Sequence, residues 1–171
     1  MAKNNFETER LILRKLRKED VDLIYELNAD PEVMKYFGEP DSSYENAKKY
    51  VDMRVHGYAD KDGLGIFVAN IKNTGKPIGW FCLKYIDGTE EVEIGFRLLK
   101  KYWDQGLATE GATCLVNFGF KELGLNEIVG VSKPENKASQ QVLKKVGLAY
   151  VGIARYYDLD LSYFKKSAIS S

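Results

Sequence analysis

Residues 10–17, RLILRKLR, alternate apolar and basic side chains with the period of two expected of a half-buried strand. The period then lengthens. In DVDLIYELN, residues 20–28, Val21, Ile24, Leu27 and Asn28 fall near helical spacing, and Asp20 is the expected N-cap. Pro31 opens a second, short helical stretch in PEVMKYF. Ser42, followed three residues later by Glu45, has capping-box spacing and predicts a third helix reaching about Tyr58. Strand texture returns with IFVANI at 66–71, IGWFCLKYI at 78–86 and EVEIGFRLL at 91–99. Joined by NTGKP and Asp87-Gly88, these three read as an antiparallel meander. After them come a helix over about 108–123, a strand EIVGVSK at 127–133, and a helix in ENKASQQVLKKVG that Gly147 ends in the left-handed conformation. AYVGIARYYD and LSYFKKS close the chain as two more strands. This order predicts an α/β fold: one domain over 1–171, its core at about 8–168, with one mixed sheet flanked by helices.

Composition narrows the function classes. With 44% hydrophobic and 29% charged residues the chain is ordinary for a water-soluble domain. Its 25 basic and 25 acidic residues balance, so the global charge footprint of a nucleic-acid or anionic-membrane binder is absent. Any bound anion must be held by local devices. MAKNNFETERL has no apolar signal core, and no apolar run approaches membrane-spanning length, which leads to the expectation of a cytoplasmic protein. Cys82 and Cys114 each sit in an apolar stretch, with neither disulfide nor metal spacing; they are expected to be core thiols, and no metal is expected. His56, the only histidine, is expected at the surface of its helix.

The candidate chemistry begins at KKYWDQGLATEG, residues 100–111, where bulky residues give way to Gly106, Ala108, Thr109 and Gly111 just as a helix starts. A strand running into a small-residue turn and then a helix suits a phosphate group. The first helical N–H groups lack intrahelical partners, and the helix dipole adds positive potential. A Walker A loop is excluded because no Gly-Lys-Ser/Thr follows, and a dinucleotide fingerprint is excluded by glycine spacing. The plain alternative is a tight turn with glycine for geometry alone. A second helix start follows in PENKAS, where Asn136 is the expected cap and Ser139 lies three residues on. Ser139 can point its hydroxyl along the mouth of a site or bond it to its own helix backbone.

These stretches resemble the GNAT superfamily of acyl-CoA-dependent N-acyltransferases, and within it the RimJ/RimL-like branch. TERLILRKLRKEDVDLIYELNADPEVMKYFG is similar to that branch's opening strand and helices, EVEIGF to its central strand, YWDQGLATEG to its pyrophosphate loop and PENKASQQVLKKVGL to its last helix. The resemblance implies a mostly antiparallel sheet with a splayed parallel pair, the 91–99 and 127–133 strands, holding the pantetheine arm of acetyl-CoA like an added strand. It implies main-chain contacts from that arm near Phe96 and Leu98, a reach to the arm from Asn136, and pyrophosphate contacts along Asp104, Gln105, Gly106, Leu107, Ala108 and Thr109. A backbone N–H near Phe96 would polarise the thioester carbonyl. There are two departures. Asp104 stands where relatives usually have Gly, and Leu143 stands where many carry a tyrosine general acid.

The implied reaction is attack of an amine on a thioester. Along EVEIGFRLL, alternation puts Val92, Ile94, Phe96 and Leu98 on one face, with Glu91, Glu93 and Arg97 on the other. Glu93, two residues before Gly95, is the candidate base, direct or through water; its plain alternative is a solvated strand carboxylate. Ser139 is the candidate donor to the departing thiolate. The acidic residues Asp30, Glu32, Glu39, Asp41 and Glu45 read as a solvated face, and would favour cationic amines if they border the acceptor channel. The expected activity is therefore acetyl transfer from acetyl-CoA to a primary amine, a protein N-terminus or a small molecule, by a monomer or homodimer. A non-catalytic acyl-CoA sensor or interaction module of the same fold is the alternative.

Overall fold

The computed structural model describes residues 5–61 and 63–169. Strands β1 (Asn5–Glu7) and β2 (Leu11–Lys15) lead through a 3-10 turn to helices α1 (Val21–Ala29), α2 (Pro31–Met34) and α3 (Tyr44–Gly57). The meander β3 (Gly65–Ile71), β4 (Pro77–Tyr85) and β5 (Val92–Leu98) follows. Then come α4 (Leu107–Lys121), β6 (Glu127–Ser132), α5 (Lys137–Lys145) and the hairpin β7 (Ala149–Tyr156) with β8 (Leu159–Ser167). The strands form one sheet in the order β1-β2-β3-β4-β5-β6-β8-β7. All neighbours are antiparallel except β5 and β6, which run parallel and register only at Glu93 and Val129. That single point of register is the splayed pair.

Alternation along the meander builds a core on each face of the sheet. Phe67, Ala69, Phe81 and Leu83 face α4 and α5 together with Ile94, Leu115, Val116 and Ile128. Ile66, Val68, Trp80 and Cys82 face α1 and α3, against Ile24, Leu27, Ala47 and Val51. Gly147 has φ 104°, as its place after α5 requires. Cys82 is buried, Cys114 packs partly buried against the core of the α4 face, and His56 is exposed.

Two helix starts differ from expectation. Asp20 occupies the position before α1, but its carboxylate makes no cap bond there; instead it accepts both Arg14 Nη1 and Nη2 at 2.8 Å and the Arg17 N–H at 2.7 Å. A bidentate guanidinium outcompetes a helix N–H for a carboxylate. At α3 the cap is Ser43 rather than Ser42, its hydroxyl accepting from the Asn46 N–H, so the Ser42–Glu45 spacing is one residue out of register.

Candidate active site

The turn before α4 is built from two left-handed residues. Asp104 has φ 59° and Gly106, the residue before the helix, φ 77°. Asp104 thus takes the conformation a glycine would supply, and Asp is among the few residues that tolerate it. Gly106 offers no capping side chain, and the helical ladder begins only with Glu110 N–H to Gly106 O at 3.0 Å. The earlier N–H groups of α4 are left without intrahelical acceptors. A strut from the opening of the chain fixes the turn. Glu110 accepts from the Thr8 hydroxyl, the Arg10 N–H at 2.8 Å and Arg10 Nε at 2.7 Å, and Arg10 Nη1 donates to Gln105 O at 2.8 Å. Arg10 thereby neutralises a carboxylate in the first turn that would otherwise repel an anion there. Gly111, by contrast, faces inward: a Cβ there would lie 2.3 Å from Phe81 Cζ.

A cleft of about 480 Å³ opens where β5 and β6 part. Phe96, Leu98, Asp104, Gly106, Leu107, Ala108, Thr109, Asn136 and Ser139 all line it; Gln105 does not, its carbonyl being held by Arg10 and its side chain donating to Lys101 O. The Leu98 carbonyl already accepts from Trp103 Nε1 at 2.8 Å. Asn136 caps α5 by accepting from the Ser139 N–H at 3.2 Å, which leaves its amide NH₂ as the group able to donate into the cleft. The Ser139 hydroxyl has no hydrogen-bond partner among the described residues. Leu143 is a core residue packed against Gly130, where a Cβ would lie 2.7 Å from Leu143 Cδ2. The far side of the cleft is formed by Glu32, Val33, Tyr36, Phe37 and Arg97.

Glu93 lies elsewhere. It is not a solvated carboxylate: only 9% exposed, it accepts the Tyr157 hydroxyl at 2.6 Å, with Lys84 Nζ at 4.0 Å from the same oxygen, and it does not line the cleft. Burial raises its pKa, against the opposing pull of Lys84 and the Tyr157 hydrogen bond. Tyr157 in turn donates from a hairpin turn in which it and Asp158 both have positive φ, 53° and 59°. Neighbouring Glu91 receives the hydroxyls of Tyr156 and Tyr163. Cys82 lies on the same face, its thiol pushed up to about 12 by burial first and by Glu93 second. Among the described residues there is no cluster of three or more His, Cys, Asp or Glu able to hold a metal. No described helix is long and apolar enough to cross a membrane.

Sequence reasoning does not find Arg10, Glu110, Trp103 or Tyr157. The only local hint is an acidic residue in the first turn of α4, ordinarily read as a dipole complement.

A mixed sheet splayed at one parallel pair, with a helix start and a cleft at the fork, defines a class. The acetyltransferase (GNAT) domain family matches residues 10–149, and the chain belongs to it. It is an acetyl-CoA-dependent N-acetyltransferase, transferring acetyl groups to amines. It is similar to the uncharacterized N-acetyltransferase YnaD of Bacillus subtilis, 32% identical over 85% of this chain and 82% of that one. It also resembles the FsC-acetyl coenzyme A-N(2)-transacetylase of Aspergillus fumigatus, 34% identical over 88% of this chain and 67% of that one. Among solved structures, a GNAT-family acetyltransferase from Bacillus anthracis superposes with a TM-score of 0.79 at 26% identity, covering 95% of this chain and 98% of that one.

Proposed function

We propose that this chain is a direct-transfer acetyltransferase of the RimJ/RimL-like branch, acting on the primary amine of a small molecule or a protein N-terminus. The observation that carries the reading is the cleft at the β5–β6 fork, which brings the open start of α4 and Ser139 to one space. The acetyl-CoA pyrophosphate takes the N–H groups of the 104–109 turn, and Asn136 donates to the pantetheine arm. Branch membership rests on the opening strand and helices, residues 8–38, and on the α5 stretch.

In the reaction the amine nitrogen bonds to the thioester carbon, the C–S bond breaks, the amine loses a proton and the departing thiolate gains one. A thiol pKa near about 8.5 makes the leaving group fair unaided, so the Ser139 hydroxyl assists modestly. Most of the rate comes from holding amine and thioester together. Glu93, its pKa raised by burial, is the candidate base, and because it does not line the cleft it acts through water rather than by touching the amine. The test is thiol release from acetyl-CoA across a panel of amines, with Ser139→Ala alongside. Amine-dependent release, reduced about tenfold or less in Ser139→Ala, is expected. CoA binding without release for any amine would favour the sensor reading.

A further inference from the structure

Arg97 is a half-buried cation with no anionic partner among the described residues. It stands opposite Trp80 in the β4–β5 register and points to the α1–α3 face of the sheet. Its guanidinium lies 4.3 Å from the centroid of the Phe37 ring and 5.2 Å from that of Trp80. One hydrogen bond, Nη1 to Asn28 Oδ1 at 3.2 Å, is its only one among the described residues, and its Nε is shielded from solvent with no acceptor. Burial presses its pKa down, with Tyr50 and Cys82 opposing, yet a guanidinium stays charged in proteins. A partly desolvated charge of this kind is costly unless paired, and the two aromatic rings compensate only in part. Arg97 also lines the cleft.

The carboxylates of the 30–45 segment are engaged elsewhere or stand away from the cleft. Asp30 caps α2, Asp41 accepts from Ser43 and Asn46, and Glu32, which does line the cleft, sits 3.6 Å from Lys100 Nζ. Glu39 and Glu45 are exposed and do not line the cleft. The other charged groups bordering the cleft are Lys35, Asp104 and Lys145. The acceptor side therefore presents a vacant positive charge, the reverse of what a site for polycations needs. The cofactor's own anion does not satisfy it, because the 104–109 turn and Ser139 belong to the α4–α5 side while Arg97 faces α1 and Phe37.

We propose that Arg97 recognises a carboxylate on the acceptor, so that the substrate class is amines that carry a carboxylate, amino acids or short peptides with a free C-terminus. This rests on the transferase reading above. It gives the guanidinium fork the bidentate partner it lacks, beside the two rings that already contact it.

The experiment uses paired probes differing only in charge. Turnover is measured with amino acids and dipeptides against their C-terminal amides. Binding to the CoA-loaded protein is measured calorimetrically with N-acetylglycine against N-acetylglycinamide. The carboxylate member of each pair is expected to be favoured about tenfold or more. Arg97→Gln should collapse that ratio to near one, and Arg97→Lys should retain part of it. Equal handling of both members by the wild-type protein, or a ratio that survives in Arg97→Gln, would overturn the proposal and leave Arg97 a clamp for Phe37 and Asn28. The calorimetric arm decides the matter even where no acceptor turns over, and absence of turnover alone counts against the transferase reading. Should Arg97→Gln not fold, the wild-type pairs alone still support or overturn the proposal.

Discussion

Gly111→Ala is the smallest change that tests how α4 is set against the sheet. The new Cβ would sit 2.3 Å from Phe81 Cζ and 2.6 Å from both ε carbons. Carbon atoms rest at about 3.5–4.0 Å, so the shortfall exceeds an ångström. Phe81 cannot step aside into solvent, being fully buried beneath the helix. The helix must lift. Overpacking of a tight core costs about 1–3 kcal/mol, and contact with three ring atoms argues for the upper end. Replacing Gly by Ala inside a helix returns about 1 kcal/mol. The net loss is about 2 kcal/mol, and in a chain of this length each kcal/mol moves Tm by about 2–4 °C, giving a fall of about 4–8 °C.

The assay is thermal and urea denaturation of Gly111→Ala, Phe81→Leu and the double variant, with Gly57→Ala as control. Gly57 ends α3, and a Cβ there meets nothing within 4 Å, so that variant should lose no stability. The double variant should be more stable than the sum of the single losses by about 1 kcal/mol or more, because the smaller side chain relieves the clash. CoA affinity should fall in Gly111→Ala, since the lifted helix carries the N–H groups at the turn. Additive losses, or a Gly111→Ala protein that melts with the wild type, would refute the reasoning.

Gly106→Val forces a β-branched residue to a φ near 77°, beside Arg10 Nη2 at 3.4 Å, and should weaken CoA binding severely while the protein stays folded; unchanged affinity by calorimetry would remove the turn from the site. Cys82→Ala and Cys114→Ala should both keep activity, because a thiol pushed up to about 12 supplies no thiolate at Cys82; an acetyl adduct trapped on either residue would overturn direct transfer. Glu93→Gln should slow turnover most between the raised pKa of Glu93 and the pKa of the acceptor amine, and least above the latter, where the amine arrives deprotonated. A variant matching wild type at every pH would place the base elsewhere. At Glu110, burial raises the pKa but is outweighed by hydrogen bonds from Thr8 and Arg10, so the folded value lies below the unfolded one. That stability is present above the ordinary carboxylate pKa of about 4.3 and is lost as pH falls through the folded value; Glu110→Gln should flatten this acid limb in melting curves taken from pH 7 to 3.

What is legible in the sequence is what is periodic or local. The meander, α4 and α5 carry long runs of one period, and Gly106 marks a tight turn within three residues of a helix start. Strand β1 is not legible because three residues hold no period. Asp20 escapes the cap rule because that rule is local, whereas Arg14 reaches it from the neighbouring strand with two bonds to one carboxylate. The strut from Arg10 to Glu110 joins residues 100 apart, and no window contains both.

Glu93 shows the limit most clearly. Alternation assigns it to the same face of β5 as Arg97, which the fold bears out, but a strand pattern states only which face a side chain takes, not what covers that face. The cover is a hairpin turn 64 residues away, in which Tyr157 holds a positive φ with no glycine to ease it. A turn so unfavourable for an aromatic residue persists where surrounding bonds over-determine it, and the Tyr157 hydroxyl has two partners, Glu93 at 2.6 Å and Lys84 at 3.1 Å. The strain and the burial of Glu93 are thus one arrangement.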